Sequence, residues 1–310
     1  MPIGSPVDGF RLAYDRHGSP APGRPTVVLL HGWPGDRTDH DAVVTHLSGL
    51  DARSADAPLG PHDVLAPDLR GFGESDKHHE DPTTSYDPGA QARSVAGLAD
   101  ELGLTDLVVG GYDVGSRVAQ RLGRDRPDLV RAIVVTPPAP GVGKRILSPD
   151  PMREFWYQAF HQLDLAQELV DGSTRAARAY LRHFWSHWSG PGFTPDDARL
   201  DHLASVYGPA GAFVASIGWY RAGGGMVANS LAERAPDPDD RFTVPTTFLW
   251  PEHDPLFPRE WSDRLDEFFT DVTVEPVDGV GHFVPVEAPQ VFAGAVARVA
   301  ALHSGPGGTS

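Results

Sequence analysis

The segment LVVGGYDVGS, residues 107–116, decides the fold of this chain. Its first residues are apolar, as in a buried strand, and residues 114–126 have helical spacing. Gly111 and Gly115 flank Asp113 between the two. A strand that turns sharply into a helix with this pattern lifts its central side chain above the sheet, and the glycines prevent clashes. We therefore predict that Asp113 is a nucleophile, although an aspartate that merely caps the helix is the structural alternative.

Apolar runs alternate with helical stretches on both sides of this segment. The expected strands are 26–30, 64–66, 107–110, 132–135, 246–250 and 272–277, and the expected helices are 39–50, 89–102, 114–126, 259–269 and 289–302. This alternation predicts an α/β protein with a mostly parallel, doubly wound sheet and helices on both faces. Residues 10–14 are a candidate antiparallel edge strand, and the polar stretch 51–62 is expected to be a loop.

Residues 138–241 interrupt the alternation. They have helical spacing, many aromatic side chains and no convincing strand. We therefore predict a core in two parts, residues 1–137 and 242–303, with a helical insert between the fourth and fifth parallel strands. Residues 304–310 are rich in glycine and small polar residues and are expected to form a disordered tail.

Two later loops carry the partners that a nucleophile on such a turn requires. The chain order that accompanies this turn is nucleophile, acid, histidine. His282 follows strand 272–277 and is the candidate general base, while Asp254 is the candidate acid that orients its ring. Glu252 is a nearby alternative to Asp254. Because the carboxyl ends of parallel strands meet at one edge of a sheet, we expect these groups to converge there.

The loop His31-Gly32-Trp33-Pro34 follows the first parallel strand. The backbone N–H groups of Trp33 and Val114 form the predicted oxyanion hole. A carboxylate nucleophile displaces a leaving group at a saturated carbon, so the predicted electrophile is an epoxide or an alkyl halide, and the product is an ester on Asp113. Water activated by His282 then hydrolyses this ester.

These stretches together resemble the α/β-hydrolase-fold epoxide hydrolases. The resemblance is carried by His31-Gly32-Trp33-Pro34, Asp68-Leu69-Arg70-Gly71-Phe72-Gly73-Glu74-Ser75-Asp76, the turn at Asp113, Asp254-Pro255-Leu256-Phe257-Pro258 and Gly281-His282-Phe283. It covers nearly the whole core. It implies an α/β-hydrolase fold with an inserted helical cap, hydrolysis of an epoxide to a vicinal diol, and no need for a cofactor or a metal.

The resemblance also assigns roles within the cap. In epoxide hydrolases, cap tyrosines donate a proton to the departing epoxide oxygen, and a phenol is protonated at neutral pH. Tyr157 in Trp156-Tyr157-Gln158-Ala159-Phe160 looks like the first such residue, and Tyr220 in Gly218-Trp219-Tyr220-Arg221 looks like the second. Tyr180 and Tyr207 are reserves. The side chains expected to line the substrate site are Trp33, Trp156, Phe160, Trp185, Trp219 and Phe283.

Two other functions stay open on the sequence alone. A haloalkane or haloacid dehalogenase would use the same nucleophile, but Val114 stands where haloalkane dehalogenases carry tryptophan. Haloacetate dehalogenases carry arginines just after the nucleophile that hold the substrate carboxylate. Arg117 matches one of these positions and Val114 stands at the other, so Arg117 is alternatively a surface residue of the helix. A non-catalytic ligand-binding protein of this fold is the alternative of another class, although such a protein has no reason to keep nucleophile, base, acid and tyrosines together.

Composition excludes several classes of protein. A net charge of −16 argues against a nucleic-acid partner, because phosphate binding needs clustered lysine and arginine. The absence of cysteine excludes disulfides, a thiol nucleophile and cysteine-ligated zinc. The sequence shows neither a signal peptide nor an apolar stretch of about 18 residues. We therefore expect a cytoplasmic enzyme that acts on a small-molecule epoxide away from membranes. A homodimer is compatible with this sequence.

Overall fold

The computed structural model describes residues 2–49, 61–78 and 81–302. Its centre is a seven-stranded sheet with the strand order β1-β3-β2-β4-β5-β6-β7. The strands are β1 (Tyr14–His17), β2 (Thr26–Leu30), β3 (Val64–Pro67), β4 (Leu107–Gly111), β5 (Val130–Val135), β6 (Thr246–Pro251) and β7 (Val272–Val277). β1 pairs with β3 in antiparallel orientation, and the remaining neighbours pair in parallel. This sheet confirms the predicted α/β architecture.

Helices cover the sheet and form the insert. The α-helices are α1 (Asp41–Ser48), α2 (Pro82–Ser85), α3 (Pro88–Glu101), α4 (Val114–Asp125), α5 (Pro149–Glu154), α6 (Trp156–His161), α7 (Asp164–Val170), α8 (Thr174–Trp188), α9 (Asp197–Tyr207), α10 (Ala212–Arg221), α11 (Met226–Ala232), α12 (Val284–Glu287) and α13 (Pro289–Leu302). Short 3-10 helices lie at Arg37–His40, Gly143–Leu147, Pro238–Asp240 and Arg259–Glu267. None of these described helices is long and apolar enough to cross a lipid bilayer.

The central strands are apolar without alternation because both of their faces are covered. Val28 and Leu30 of β2 pack with side chains of α3 and α4 on one face. Val27 and Leu29 pack with side chains of α1 and α13 on the other face. Successive side chains of a strand point to opposite faces, so two helical layers require an uninterrupted apolar run.

Two predicted elements differ from the structure. The edge strand expected at residues 10–14 lies at Tyr14–His17, where it pairs with β3, while Phe10 forms only an isolated bridge with Val7. The helix expected at 259–269 is a 3-10 helix, and apolar spacing cannot separate the two helix types over so few turns. Most of the predicted loop at 51–62 and the whole predicted tail at 304–310 lie outside the described residues.

The insert packs over the carboxyl edge of the sheet as a helical cap between β5 and β6. It contains α5 through α11 and no strand among its described residues. Three contacts join it to the loop that follows β2. The indole N–H of Trp185 donates to the carbonyl oxygen of Pro34 at 2.8 Å, and the Tyr207 hydroxyl donates to the carbonyl oxygen of Gly35 at 2.6 Å. In addition, His202 Nε2 lies 2.7 Å from a carboxylate oxygen of Asp36.

Candidate active site

The turn after β4 holds Asp113 in a strained backbone conformation. Its φ is 50° and its ψ is −118°, a backbone conformation that residues other than glycine seldom adopt. A Cβ atom at Gly115 would lie 2.0 Å from the carbonyl oxygen of Leu30, so this position must be glycine for the turn to pack against β2. Asp113 is the N-cap residue of α4, but its side chain makes no capping hydrogen bond. The capping alternative therefore does not describe this carboxylate.

Asp113, His282 and Asp254, from three different strand ends, lie in one chain of contacts. His282, from the loop after β7, is fully buried, and its Nε2 lies 3.5 Å from Asp113 Oδ2. Its Nδ1 lies 2.8 Å from Oδ2 of Asp254, from the loop after β6. The other oxygen of Asp254 accepts the backbone N–H of Leu256 at 2.8 Å. The imidazole is therefore fixed between two carboxylates, with one nitrogen facing each.

Glu252, the alternative acid, does not reach the imidazole. Its carboxylate accepts the backbone N–H of Gly279 at 2.8 Å. Its side chain is 43% exposed, whereas that of Asp254 is 1% exposed. The structure thus brings Asp254 to His282 and leaves Glu252 at the surface, because the loop turns the first residue outward and the second inward.

The two carboxylates determine the charge of His282. Burial alone lowers the pKa of an imidazole, because it disfavours the cation. Here the carboxylates of Asp254 and Asp113 outweigh burial and raise the pKa of His282 to about 10. The site at rest therefore holds one imidazolium between two anions. Loss of the Asp113 charge would remove one of the two contributions that hold the proton on His282.

The backbone of Trp33 supplies a hydrogen bond to the nucleophile. Its N–H donates to Asp113 Oδ1 at 2.8 Å. Val114 begins α4 and lies on the wall of the same cavity, but its N–H makes no hydrogen bond to Asp113 in the described structure. The two carboxylate oxygens of Asp113 therefore differ: Oδ1 accepts the Trp33 N–H, and Oδ2 lies beside His282 Nε2.

Tyr157 of α6 and Tyr220 of α10 face Asp113 from the cap. Both line the cavity that Asp113 lines, and their ring centroids lie 5.5 Å apart at 89°. Burial raises the pKa of both hydroxyls above the ordinary phenol value, and the nearby charge of Asp113 adds to the rise. Each therefore stays protonated at neutral pH and can donate a hydrogen bond towards the nucleophile.

A narrow cavity beside Asp113 lies between core and cap. Its wall consists of Asp113, Val114, Arg117, Pro138, Phe155, Tyr157, Gln158, Trp219, Tyr220, Gly224, Met226 and Phe257. Apart from one carboxylate, one guanidinium, one amide and two hydroxyls, these side chains are apolar. Such a wall suits a small molecule with few polar groups.

Of the six aromatic residues expected to line the substrate site, the structure places only Trp219 on the described wall. Trp185 and Phe283 stack on each other, with ring centroids 3.8 Å apart. Trp156 is 43% exposed, and the ring of Phe160 packs against it. These four side chains do not line the described cavity, because the aromatic residues of the cap mostly pack against one another.

Trp33, the sixth of these residues, lies behind the cavity. Its ring is fully buried and stacks parallel to that of Tyr157, with centroids 5.6 Å apart. It also meets the ring of Tyr220 edge to face at 5.7 Å. Its side chain thus positions both tyrosines, while its backbone N–H contacts the nucleophile.

Sequence reasoning missed Gln158, which orders this part of the cap. Its side-chain amide N–H donates to the Tyr157 hydroxyl oxygen at 3.2 Å, and its carbonyl oxygen accepts the N–H of Val227. The position of Gln158 next to Tyr157 in the sequence was the available signal. Adjacent residues of a helix do not share a face, so the sequence does not show that the Gln158 amide reaches the Tyr157 hydroxyl. The reserve tyrosines are engaged elsewhere: Tyr180 contacts His161 at 3.0 Å, and Tyr207 contacts the carbonyl oxygen of Gly35.

The site groups bind one another and do not form a metal site. Within residues 2–49, 61–78 and 81–302, no three histidine, aspartate or glutamate side chains are placed to hold a metal ion together. Both nitrogens of His282 face carboxylates, one each from Asp113 and Asp254. The described arrangement is a chain of three side chains in which one imidazole lies between two carboxylates.

Comparison with known proteins gives the same picture over nearly the full chain. The family described as alpha/beta hydrolase fold matches residues 25–289. The soluble epoxide hydrolase of Corynebacterium sp. (strain C12) is 28% identical over 292 residues, which cover 92% of this chain and 91% of that protein. Epoxide hydrolase A of Mycobacterium tuberculosis (strain ATCC 25618 / H37Rv) is 26% identical and covers 91% and 92%. The solved structure of the epoxide hydrolase CorEH without ligand superposes with a TM-score of 0.77 at 25% identity, covering 97% and 99%. The resemblance noted in the sequence is thereby confirmed.

Proposed function

This chain belongs to the alpha/beta hydrolase fold family, and we propose that it hydrolyses an epoxide to a vicinal diol through an ester of Asp113. One observation carries the proposal: a carboxylate on the core side and two protonated hydroxyls on the cap side line one small cavity. An epoxide needs both, a nucleophile for its carbon and a proton donor for its oxygen. The epoxide hydrolases similar to this chain over their full length support the same assignment.

In the first step, Asp113 Oδ2 attacks an epoxide carbon. A carbon–oxygen bond forms to the carboxylate while the ring carbon–oxygen bond breaks. The electron pair of the broken bond goes to the ring oxygen, which takes a proton from Tyr157 or Tyr220. The product is a hydroxyalkyl ester of Asp113 and one tyrosinate.

In the second step, water attacks the carbonyl carbon of the Asp113 ester. Loss of the Asp113 charge lowers the pKa of His282, which first passes its proton to the tyrosinate and is then neutral. The neutral imidazole takes a proton from the attacking water. The carbonyl oxygen is Oδ1, which already accepts the Trp33 N–H at 2.8 Å, so this donor stabilises the developing oxyanion. The carbon–Oδ2 bond of the intermediate then breaks, and the second proton of the water goes to the departing oxygen, which releases the diol and restores the carboxylate. His282 keeps the first proton as the resting imidazolium, so epoxide and water give diol with no net proton change.

The cap favours an epoxide over a halide as leaving group. An epoxide oxygen leaves as an alkoxide, which is strongly basic and needs a proton, whereas a halide leaves without one. The hydroxyls of Tyr157 and Tyr220 meet that need, and burial keeps both protonated. Val114 supplies no hydrogen-bond donor from its side chain for a halide.

The decisive experiment traps the ester. The His282→Gln variant is incubated with a panel of epoxides and a panel of 2-halo acids, and its intact mass is measured. We expect the mass to increase by that of a whole epoxide, because ring opening loses no fragment, with the label mapped to Asp113. A 2-halo acid would instead add its mass less that of the hydrogen halide.

The matched control is His253→Gln, which changes an exposed histidine in the loop after β6 and should release diol at the unaltered rate. Diol formation by the unaltered protein without any Asp113 adduct in His282→Gln would refute the covalent mechanism. Halide release without diol would assign the chain to the dehalogenases.

A further inference from the structure

Arg199 of the cap forms an ion pair with Asp39, which lies in the short 3-10 helix after β2. Its Nη1 lies 2.5 Å from Oδ1 of Asp39, whose side chain is fully buried. The second oxygen of Asp39 accepts the hydroxyl of Tyr112 at 2.5 Å. Tyr112 is the residue before Asp113. One carboxylate therefore joins helix α9 of the cap to the strained turn that carries the nucleophile.

The backbone around Tyr112 is packed so closely that a shift of its ring would reach Asp113. A Cβ atom at Gly35 would lie 1.8 Å from Asp39 Oδ2 and 2.4 Å from the Tyr112 hydroxyl oxygen, so glycine makes room for their hydrogen bond. A Cβ atom at Gly32 would lie 2.7 Å from the ring of Tyr112 and 2.5 Å from Cβ of Asp113. The loop after β2 thus lies against both residues, and close packing transmits a displacement of one to the other.

The Asp39 anion depends on its two partners. Burial raises the pKa of Asp39, because it disfavours the charged carboxylate, and the charge of Arg199 and the hydroxyl of Tyr112 oppose that rise. Removal of either partner leaves a buried carboxylate with an unused oxygen, which is costly. A change at Arg199 is therefore expected to move the Asp39 carboxylate and, with it, the side chain of Tyr112.

Arg199 also reaches the neighbour of the base. Its guanidinium carbon lies 4.8 Å from the centroid of the Trp185 ring, and a cation over the face of an indole is attracted to it. The other face of this contact is the stack of Trp185 on Phe283, with ring centroids 3.8 Å apart. Phe283 directly follows His282. Arg199 thus acts through Asp39 on the residue before the nucleophile and through Trp185 on the residue after the base.

A second ion pair of α9 provides the comparison. His202 follows Arg199 by three residues, and its Nε2 lies 2.7 Å from Oδ2 of Asp36. The other oxygen of Asp36 accepts the backbone N–H and the hydroxyl of Thr38. Both pairs attach the same helix to the core. The pair of Arg199 continues to the turn at Asp113, whereas the pair of His202 ends at Thr38.

We propose that Arg199 of the cap is a positioning residue, which fixes the nucleophile through Asp39 and Tyr112. Its effect on the reaction rate rests on the proposed epoxide hydrolysis at Asp113, whereas its effect on the geometry of the resting site does not. Arg199 lies off the described cavity wall, so it acts through other residues and not on the substrate. The cap therefore contributes to the nucleophile as well as to the proton donors, and the core site is complete only while α9 is docked.

The first experiment measures formation of the Asp113 ester in single turnovers over a series of epoxide concentrations. Arg199→Met should lower the maximal rate roughly 10- to 100-fold, as a small misplacement of a reacting group does, and leave the half-saturating concentration within about threefold. Tyr112→Phe keeps the ion pair, removes only the hydroxyl, and should slow the same step. Because both changes interrupt one chain, the double variant should be no more than about threefold slower than the slower single variant. Arg199→Lys keeps the charge and should restore part of the rate. His202→Gln loosens the same helix and should leave the rate unaltered.

The second experiment needs no substrate. Proton–nitrogen NMR follows the imidazole of His282 against pH, and the His282→Gln variant identifies its signals. His282 Nε2 lies 3.5 Å from Asp113 Oδ2 in the resting site, so a displaced Asp113 carboxylate should lower the His282 pKa by about one pH unit. We expect this fall in Arg199→Met and in Tyr112→Phe, and no change in His202→Gln.

The outcomes separate this inference from the proposed reaction. An unaltered rate of ester formation and an unaltered His282 pKa in both Arg199→Met and Tyr112→Phe overturn the positioning role, even where the protein forms diol. Equal slowing by His202→Gln and Arg199→Met, or a double variant slowed by the product of the two single effects, overturns it as well. A lowered His282 pKa in these variants without diol from any epoxide overturns epoxide hydrolysis and retains the positioning role. Should Arg199→Met not fold, Tyr112→Phe decides, because it leaves the ion pair in place.

Discussion

The two sides of the cavity are held together by different kinds of interaction. On the core side, Asp113, His282 and Asp254 form a charged chain held by ion pairs at the ends of three strands. On the cap side, Tyr157 and Tyr220 are neutral hydroxyls held by aromatic packing. In the proposed reaction, the charged side supplies the carboxylate that attacks a saturated carbon. The neutral side supplies the proton and thereby decides which leaving group can depart.

Trp33 joins the two sides. Its backbone N–H contacts Asp113, and its ring packs against both Tyr157 and Tyr220. In the proposed reaction, the same residue places the hydrogen-bond donor of the second step and the two tyrosines that act in the first. The difference between the two sides teaches that nucleophile and leaving group are decided by separate parts of the chain and can be altered separately.

The largest effect that separates the two sides is expected from the tyrosines. The double variant Tyr157→Phe/Tyr220→Phe should slow formation of the ester roughly 10²- to 10⁴-fold and leave its hydrolysis nearly unchanged, since proton donation acts only in the first step. Single-turnover mass spectrometry measures both rates. Tyr207→Phe, which removes a buried hydroxyl bonded to Gly35, is the matched control and should alter neither rate. Equal slowing of both steps would remove the tyrosines from the acid role.

The next effect comes from the charge of His282. Hydrolysis of the ester needs a neutral imidazole, so its rate should fall about tenfold per pH unit below the pKa of His282 in the ester. That pKa should lie below the value of about 10 that two carboxylates produce at rest, since esterification neutralises Asp113. The rate at which the ester decays in a single turnover of the unaltered protein, measured at a series of pH values, tests this dependence. A rate that rises as pH falls would exclude His282 as the base.

The smallest effect concerns how the cap is attached. Burial disfavours the Asp36 anion, but hydrogen bonds from His202 and Thr38 outweigh it and lower the pKa of Asp36 to about 2, while Asp36 raises that of His202. The contribution of Asp36 to the free energy of unfolding is lost as pH falls from about 4 through its lowered pKa. The contribution of His202 is lost as pH rises from about 6.5 through its raised pKa.

His202→Gln should therefore lower the free energy of unfolding by about 1 kcal/mol or less near pH 5.5, since His202 is partly exposed and screened, and by less near pH 9. Urea unfolding at both pH values measures the difference. His253→Gln, at an exposed histidine, serves as the control. An equal loss at both pH values would show that packing, not charge, attaches the cap through this residue.

Local sequence determined much of this protein. The apolar runs predicted six parallel strands because strands covered on both faces need no alternation. The glycines around Asp113 predicted the strained turn, because a Cβ atom at Gly111 would overlap the start of α4 and one at Gly115 would overlap the end of β2. His282 followed from its place after the last strand. Each of these features depends on residues that are neighbours in the chain, so a short window contains their cause.

Tertiary structure alone decided what depends on distant residues. Asp254 and Glu252 are only two residues apart in the sequence. The fold of the loop brings Asp254, and not Glu252, to His282. The aromatic residues of the cap were expected to line the substrate site. Most of them pack on one another instead, because they form the hydrophobic core of the cap. Arg117 has the spacing of a surface residue or of a ligand, and only the cap above it, with Met226 and without an acid, shows that its charge faces a cavity. The spacing of residues in the sequence gives the direction of a side chain on its own helix. The groups that this side chain contacts come from residues far away in the sequence.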